Sequence, residues 1–82
     1  MNGNELHSEC QRRSPICVGY VTGVADALEA VTGSVPHTCR PEQVELEQIL
    51  DLAAQALQDK PESRHRPAFN FLVDVFVGAW PC

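Results

Sequence analysis

Four cysteines in a chain of 82 residues set the strongest limit on what this sequence can fold into. A chain this short buries only about 60–65% of the surface its unfolded form exposes, so an apolar core alone leaves it marginal. Small domains make up the deficit with disulfides, and an even cysteine number reads as two bridges and an oxidising compartment. The rest of the composition is ordinary for a globular protein: 44% hydrophobic and 21% charged, too apolar for disorder. No run approaches the roughly 18 apolar residues of a membrane span. Eleven acidic against six basic side chains, a net charge of −5, argue against a nucleic-acid or membrane partner, which calls for a basic face.

Pro and Gly divide the chain into helical stretches. Residues 4–12 are short and polar, with Leu6 as the main apolar residue, and read as a short helix or turn held down by Cys10. Cys17, Val21, Val24, Leu28 and Val31 form one stripe of a second helix that Gly33 would stop. Leu46, Ile49, Leu50, Ala53 and Leu57 form a third stripe, which ends at Lys60-Pro61. From Ala68 to Trp80 almost every position is apolar, with only Asn70, Asp74 and Gly78 making a polar stripe. A helix apolar nearly all round is buried on more than one side. Phe69, Phe71, Val73, Phe76, Val77 and Trp80 are therefore expected either in a central core helix or in a helix shared with a second subunit. The whole reads as one all-α domain, residues 1–82: a small four-helix bundle, either a single subunit or one half of a homodimer.

Helix geometry narrows the three possible disulfide connectivities. Cys10 closes the first helix and Cys17 opens the second, so the two share a corner. Cys39 precedes the third helix and Cys82 follows the fourth, and these ends meet if the helices are antiparallel. The expected pairs are Cys10–Cys17 and Cys39–Cys82. Cys17–Cys39 would have to span the second helix, beyond the roughly 7 Å limit between bridged α-carbons.

A zinc site built from His7, Cys10, Cys17, His37 and Cys39 is the rival reading, but Cys10 and Cys17 lie seven apart, wider than the usual C-x₂₋₄-C. A redox Cys-x-x-Cys is absent. His37 and Cys39 could make a nucleophilic pair only if Cys39 were not bridged. The residues therefore assign no catalytic group, no cofactor and no metal. The three histidines are expected in solvent, and Arg64-His65-Arg66 is expected to be a solvated loop. Gly19 and Gly23 form a notch where a neighbouring helix could approach, within the subunit or across a dimer.

The same residues resemble a known pattern. Cys17-x-Gly19-Tyr20-Val21-x-Gly23-Val24-x-Asp26-Ala27, then Cys39-x-Pro41 with Val44, then Leu57-x-x-Lys60-Pro61-Glu62, and finally Leu72-Val73…Ala79-Trp80-Pro81-Cys82 are similar to the type VI secretion resistance-associated immunity proteins, the Rap/Tai group. Gly3-Asn4-Glu5-Leu6…Cys10 resembles the start of the mature family domain. One departure is Glu45 where the family has the Thr of a Thr-x-x-Gln capping box; Glu is a weaker cap.

The resemblance implies a helical, disulfide-bonded, often dimeric periplasmic protein that covers the catalytic cleft of a peptidoglycan amidase effector and does no chemistry itself. A protruding loop is what a rigid bundle best presents to a cleft, which points to Ser34, Val35 and His37 in the second connection. The alternative function is a small periplasmic stress-related chaperone, or an orphan interaction protein of the same fold. Met1-Asn2-Gly3-Asn4-Glu5 carries no basic or apolar leader. The cysteine count favours a periplasmic location, a signal peptide having been removed ahead of Met1, with a cytoplasmic one as the alternative.

Overall fold

The first N–H groups of a helix have no partner inside it, and the acceptors near each break in this sequence decide where its helices start. The computed structural model describes residues 1–30 and 37–82. Among them are four α-helices: α1 (Gly3–Gln11), α2 (Pro15–Ala30), α3 (Leu46–Asp59) and α4 (Ala68–Ala79). A 3₁₀ turn, Pro61–Ser63, lies between α3 and α4. The all-α, four-helix expectation holds.

Asn2 and Glu5 make a reciprocal capping box, each side chain accepting from the other's backbone N–H at 2.9 Å. The box moves the start of α1 to Gly3, ahead of the expected Asn4. Pro15 occupies the first position of α2, where its missing N–H costs nothing. Ser14 Oγ accepts from the Cys17 N–H at 3.3 Å there. At α3, Gln48 Oε1 accepts from the Glu45 N–H at 2.7 Å, so the glutamine half of the box operates although Glu45 stands in the cap position.

The turn from α1 to α2 is a Schellman motif. The Arg13 N–H donates to the Cys10 carbonyl and the Ser14 N–H to the Glu9 carbonyl, both at 3.1 Å. Arg13 itself takes the left-handed conformation, φ 50°. The resulting corner brings Cys10 and Cys17 to a Cα–Cα distance of 5.0 Å, and they are bridged. Cys39 and Cys82 are bridged across the other corner, also at 5.0 Å. Both bonds match the expected pairing. The first is buried, with Cys10 5% and Cys17 1% exposed; both sulfurs of the second belong to exposed residues.

Residues 64–67 correct the expectation of a plain solvated loop. Their backbone forms a ledge for the N-terminus: the Gly3 N–H donates to the Arg66 carbonyl at 2.9 Å, the Asn4 N–H to the Arg64 carbonyl at 2.8 Å, and the Ala68 N–H to the Met1 carbonyl at 2.9 Å. Arg64 and Arg66 are half-buried as a result.

The core draws on every helix: Leu6 from α1, Val21 and Leu28 from α2, Leu50 and Leu57 from α3, and Phe71, Leu72 and Phe76 from α4, all at most 2% exposed. Leu46, expected in the α3 stripe, is 49% exposed, because the first residue of the helix lies beyond the end of the packed stripe. Val31 and Gly33 lie outside the described residues. In α4 the fully buried side chains are Ala68, Phe71, Leu72 and Phe76, one helical face rather than the whole circumference. Within a single subunit α4 is therefore not covered all round. α4 packs on α2, α3 and α1, and Phe69 points away from them, 46% exposed.

Candidate partner-binding surface

Residues 37–40 cross the open end of the bundle, held there by Thr38, a polar residue only 1% exposed. Burying a polar group is tolerable only when it is hydrogen-bonded. The Thr38 N–H donates to the Leu28 carbonyl at 3.2 Å, and its Oγ1 donates to Glu29 Oε1 at 3.4 Å. The same carboxylate oxygen accepts from the Arg40 N–H at 2.6 Å. The Cys39 N–H donates to the Trp80 carbonyl at 2.9 Å.

The Arg40 guanidinium bonds Asp26 at 3.2 Å and lies 5.7 Å from the centroid of the Trp80 ring, within cation–π range. Trp80 in turn stacks on Phe76, centroids 5.2 Å apart. The foot of the second connection is therefore fastened to the ends of both α2 and α4. Arg40, Glu29 and Trp80 were not singled out from sequence as a group. Their signal was adjacency: Arg40 follows one bridged cysteine, and Trp80 lies two residues before the other.

Of the loop residues expected to meet a partner, His37 is exposed at this foot, and Ser34 and Val35 lie outside the described residues. Of the α4 residues expected in a core or a dimer, Phe71 and Phe76 are in the core. Val73, Val77 and Trp80 are half-buried, and Phe69 faces outward. Arg66, Phe69, Asn70, Val73 and Asp74 line a shallow hollow of about 310 Å³ on the outer side of α4. Arg66 and Asp74 are ion-paired at 2.8 Å along its edge. A second open groove, about 380 Å³, runs between α3 and α4 past Leu52, Asp59, Lys60 and Asp74.

Gly19 and Gly23 are exposed, and an added Cβ at either would meet nothing within 4 Å. The notch therefore admits no neighbouring helix among the described residues of the subunit. His7, Cys10 and Cys17, which the rival zinc reading would need, do not gather as a ligand set. His37, Cys39 and Cys82 do come together, with their ligand atoms within 4.8 Å of one another.

Electrostatically the surface is dominated by carboxylates. Four arginines already have local partners: Arg12 with Glu9, Arg13 with Asp51 and Glu47, Arg40 with Asp26, and Arg66 with Asp74. Glu42, Glu45 and Glu62 stand exposed. Glu9 is held below the usual glutamate range, first by the hydrogen bond from Ser14 and then by the one from Arg12. His7 departs from the expectation of a fully solvated imidazole: it is half-buried. Its pKa is lowered, chiefly by that burial and secondarily by the Arg64 charge.

Neither the curated proteins nor the solved structures contain a match to this chain. The family model for Rap1a immunity proteins matches residues 2–82. That span takes in both bridges, all four helices and the fastened foot at residues 37–40, and the chain belongs to the Rap1a immunity protein family.

Proposed function

We propose that this protein is a non-enzymatic immunity protein of type VI secretion, which binds a peptidoglycan amidase effector and blocks its catalytic cleft. The family match over residues 2–82 carries the reading. Two disulfides suit an oxidising compartment, and the periplasm is the one in which an amidase meets peptidoglycan. The contact to the effector is assigned to the connection containing Ser34, Val35 and His37. Residues 38–40, next to His37, are already held by hydrogen bonds to Leu28, Glu29 and Trp80, which lowers the cost of ordering that foot on binding. Self-association into a homodimer is assigned to the outer side of α4, centred on Phe69. The net charge of −5 would speed encounter with a basic effector, in a manner that salt suppresses.

The test uses the oxidised protein and purified peptidoglycan amidase effectors of type VI secretion. Peptidoglycan hydrolysis is followed with increasing immunity protein, and the expected result is inhibition that saturates at a fixed stoichiometry. Full hydrolysis in the presence of a micromolar excess would overturn the proposal. Replacing His37 with Glu should weaken inhibition while leaving helicity unchanged.

A further inference from the structure

We propose that His37, Cys39 and Cys82 form a zinc site when the bridge between the two cysteines is reduced. The three residues supply one nitrogen and two sulfurs, all within 4.8 Å of one another. Zinc binds this ligand set in tetrahedral sites, with Zn–S about 2.3 Å and Zn–N about 2.0–2.1 Å. Bond lengths of that size put tetrahedral ligand atoms about 3.3–3.8 Å apart. The cluster therefore needs local adjustment rather than refolding.

Accessibility makes the bridge reducible. Thiol–disulfide exchange requires a thiolate to reach a sulfur. Cys39 and Cys82 are exposed, whereas Cys10 and Cys17 are 5% and 1% exposed in the core. A dithiol reductant is the co-reactant. It gives two electrons and two protons and becomes a disulfide, while the Cys39–Cys82 bond breaks to two thiols. Zinc then displaces both thiol protons, forms two Zn–S bonds and takes the lone pair of one His37 nitrogen, with water in the fourth position.

The surroundings hold the ligands near one another without the covalent bond. The Cys39 N–H donates to the Trp80 carbonyl at 2.9 Å and Thr38 and Arg40 fasten the segment to Glu29, and none of these bonds uses either sulfur. Zinc would join the same two chain positions that the disulfide joins, so it would replace one cross-link with another.

The experiment compares the full chain, oxidised and dithiol-reduced, in titrations with zinc chloride against a chromogenic chelator, with helicity followed by circular dichroism. The expected result is one zinc per reduced chain and none per oxidised chain. His37→Ala should weaken binding by at least about tenfold, because losing even an outer-shell partner costs 10–100-fold. Cys39→Ser/Cys82→Ser should abolish the site while leaving Cys10 and Cys17 in place. Wild-type affinity in either variant would overturn the proposal. So would a reduced chain that neither stays helical nor regains helicity when zinc is added.

Discussion

Among the described glycines, Gly3 is the one with no room for a side chain. A Cβ built there would stand 2.6 Å from the Arg64 carbonyl oxygen and 2.9 Å from its Cα. Those are backbone atoms, and the N-terminus already hydrogen-bonds to that segment twice, so the neighbour cannot yield cheaply. Helix propensity alone favours Gly→Ala by about 1 kcal/mol. The clash is expected to reverse the sign: Gly3→Ala should lower stability by about 1–3 kcal/mol, read as a lower urea midpoint at unchanged slope. A stabilised variant would mean the ledge at residues 64–67 is not occupied by the N-terminus in solution.

Ser14 supports two helices with one hydroxyl. It donates to Glu9 Oε1 at 2.7 Å and accepts from the Cys17 N–H. Because the folded state lowers the Glu9 pKa, the carboxylate contributes stability above the unfolded-state value, about 4.5. That contribution is lost as pH falls from there through the folded-state pKa. Ser14→Ala should raise the Glu9 pKa toward its ordinary value, measured by NMR titration of the side-chain carboxyl carbon. At this scale the sequence was partly legible. The Asn2–Glu5 box was missed although its Asn-x-x-Glu spacing is present in the chain, and the Schellman turn is hidden because its left-handed position holds Arg13 instead of the glycine that usually marks it. The Arg13 side chain ties the corner to α3 through Asp51 at 2.9 Å.

Among the elements, α4 separates pattern from burial. Its run of apolar residues suggested a helix covered on more than one side, yet Phe71 and Phe76 are 2% and 0% exposed while Phe69 is 46% exposed. Composition reports how apolar a helix is; which face is covered depends on the helices it meets. The second and third stripes were easier to read, since their apolar positions recur at helical spacing; polar and charged residues surround the stripe in α3, and Asp26 and Glu29 lie off it in α2. Two substitutions test the division. Phe76→Ala removes a side chain packed in the core and stacked on Trp80, and should cost about 3–5 kcal/mol. Phe69→Ala removes an outward ring and should cost no more than about 0.5 kcal/mol. Equal losses in chemical denaturation, at a protein concentration where the chain is monomeric, would contradict the packing described for α4.

For the whole molecule, the cysteines connect sequence, stability and compartment. Their pairing was legible because short loops force neighbouring helices antiparallel, which leaves few corners where cysteines can meet. The partner surface was not legible in the same way: a binding face is defined by complementarity to a second molecule, and its chemistry is not written in the periodicity of the chain that carries it. The bridges differ in the loops they close, spanning separations of 7 and 43 residues. Chain-entropy arithmetic assigns about 2.5 kcal/mol to the first and about 4 kcal/mol to the second, against a total of about 5–15 kcal/mol for a typical domain. Cys39→Ser/Cys82→Ser should therefore lower stability by about 4 kcal/mol. With each kcal/mol worth about 4–8 °C in a domain of this size, the melting temperature should drop by about 15–30 °C. The helices themselves should persist at low temperature, because the core residues of all four remain in place. Thermal scans by circular dichroism on oxidised wild type and variant decide it. A loss below about 1 kcal/mol would show that the hydrogen bonds of Thr38, Cys39 and Arg40, with the Arg40–Trp80 contact, hold that corner shut alone. The bridge would then act as a latch on an already closed end, and no longer as the cross-link that lets so short a chain fold.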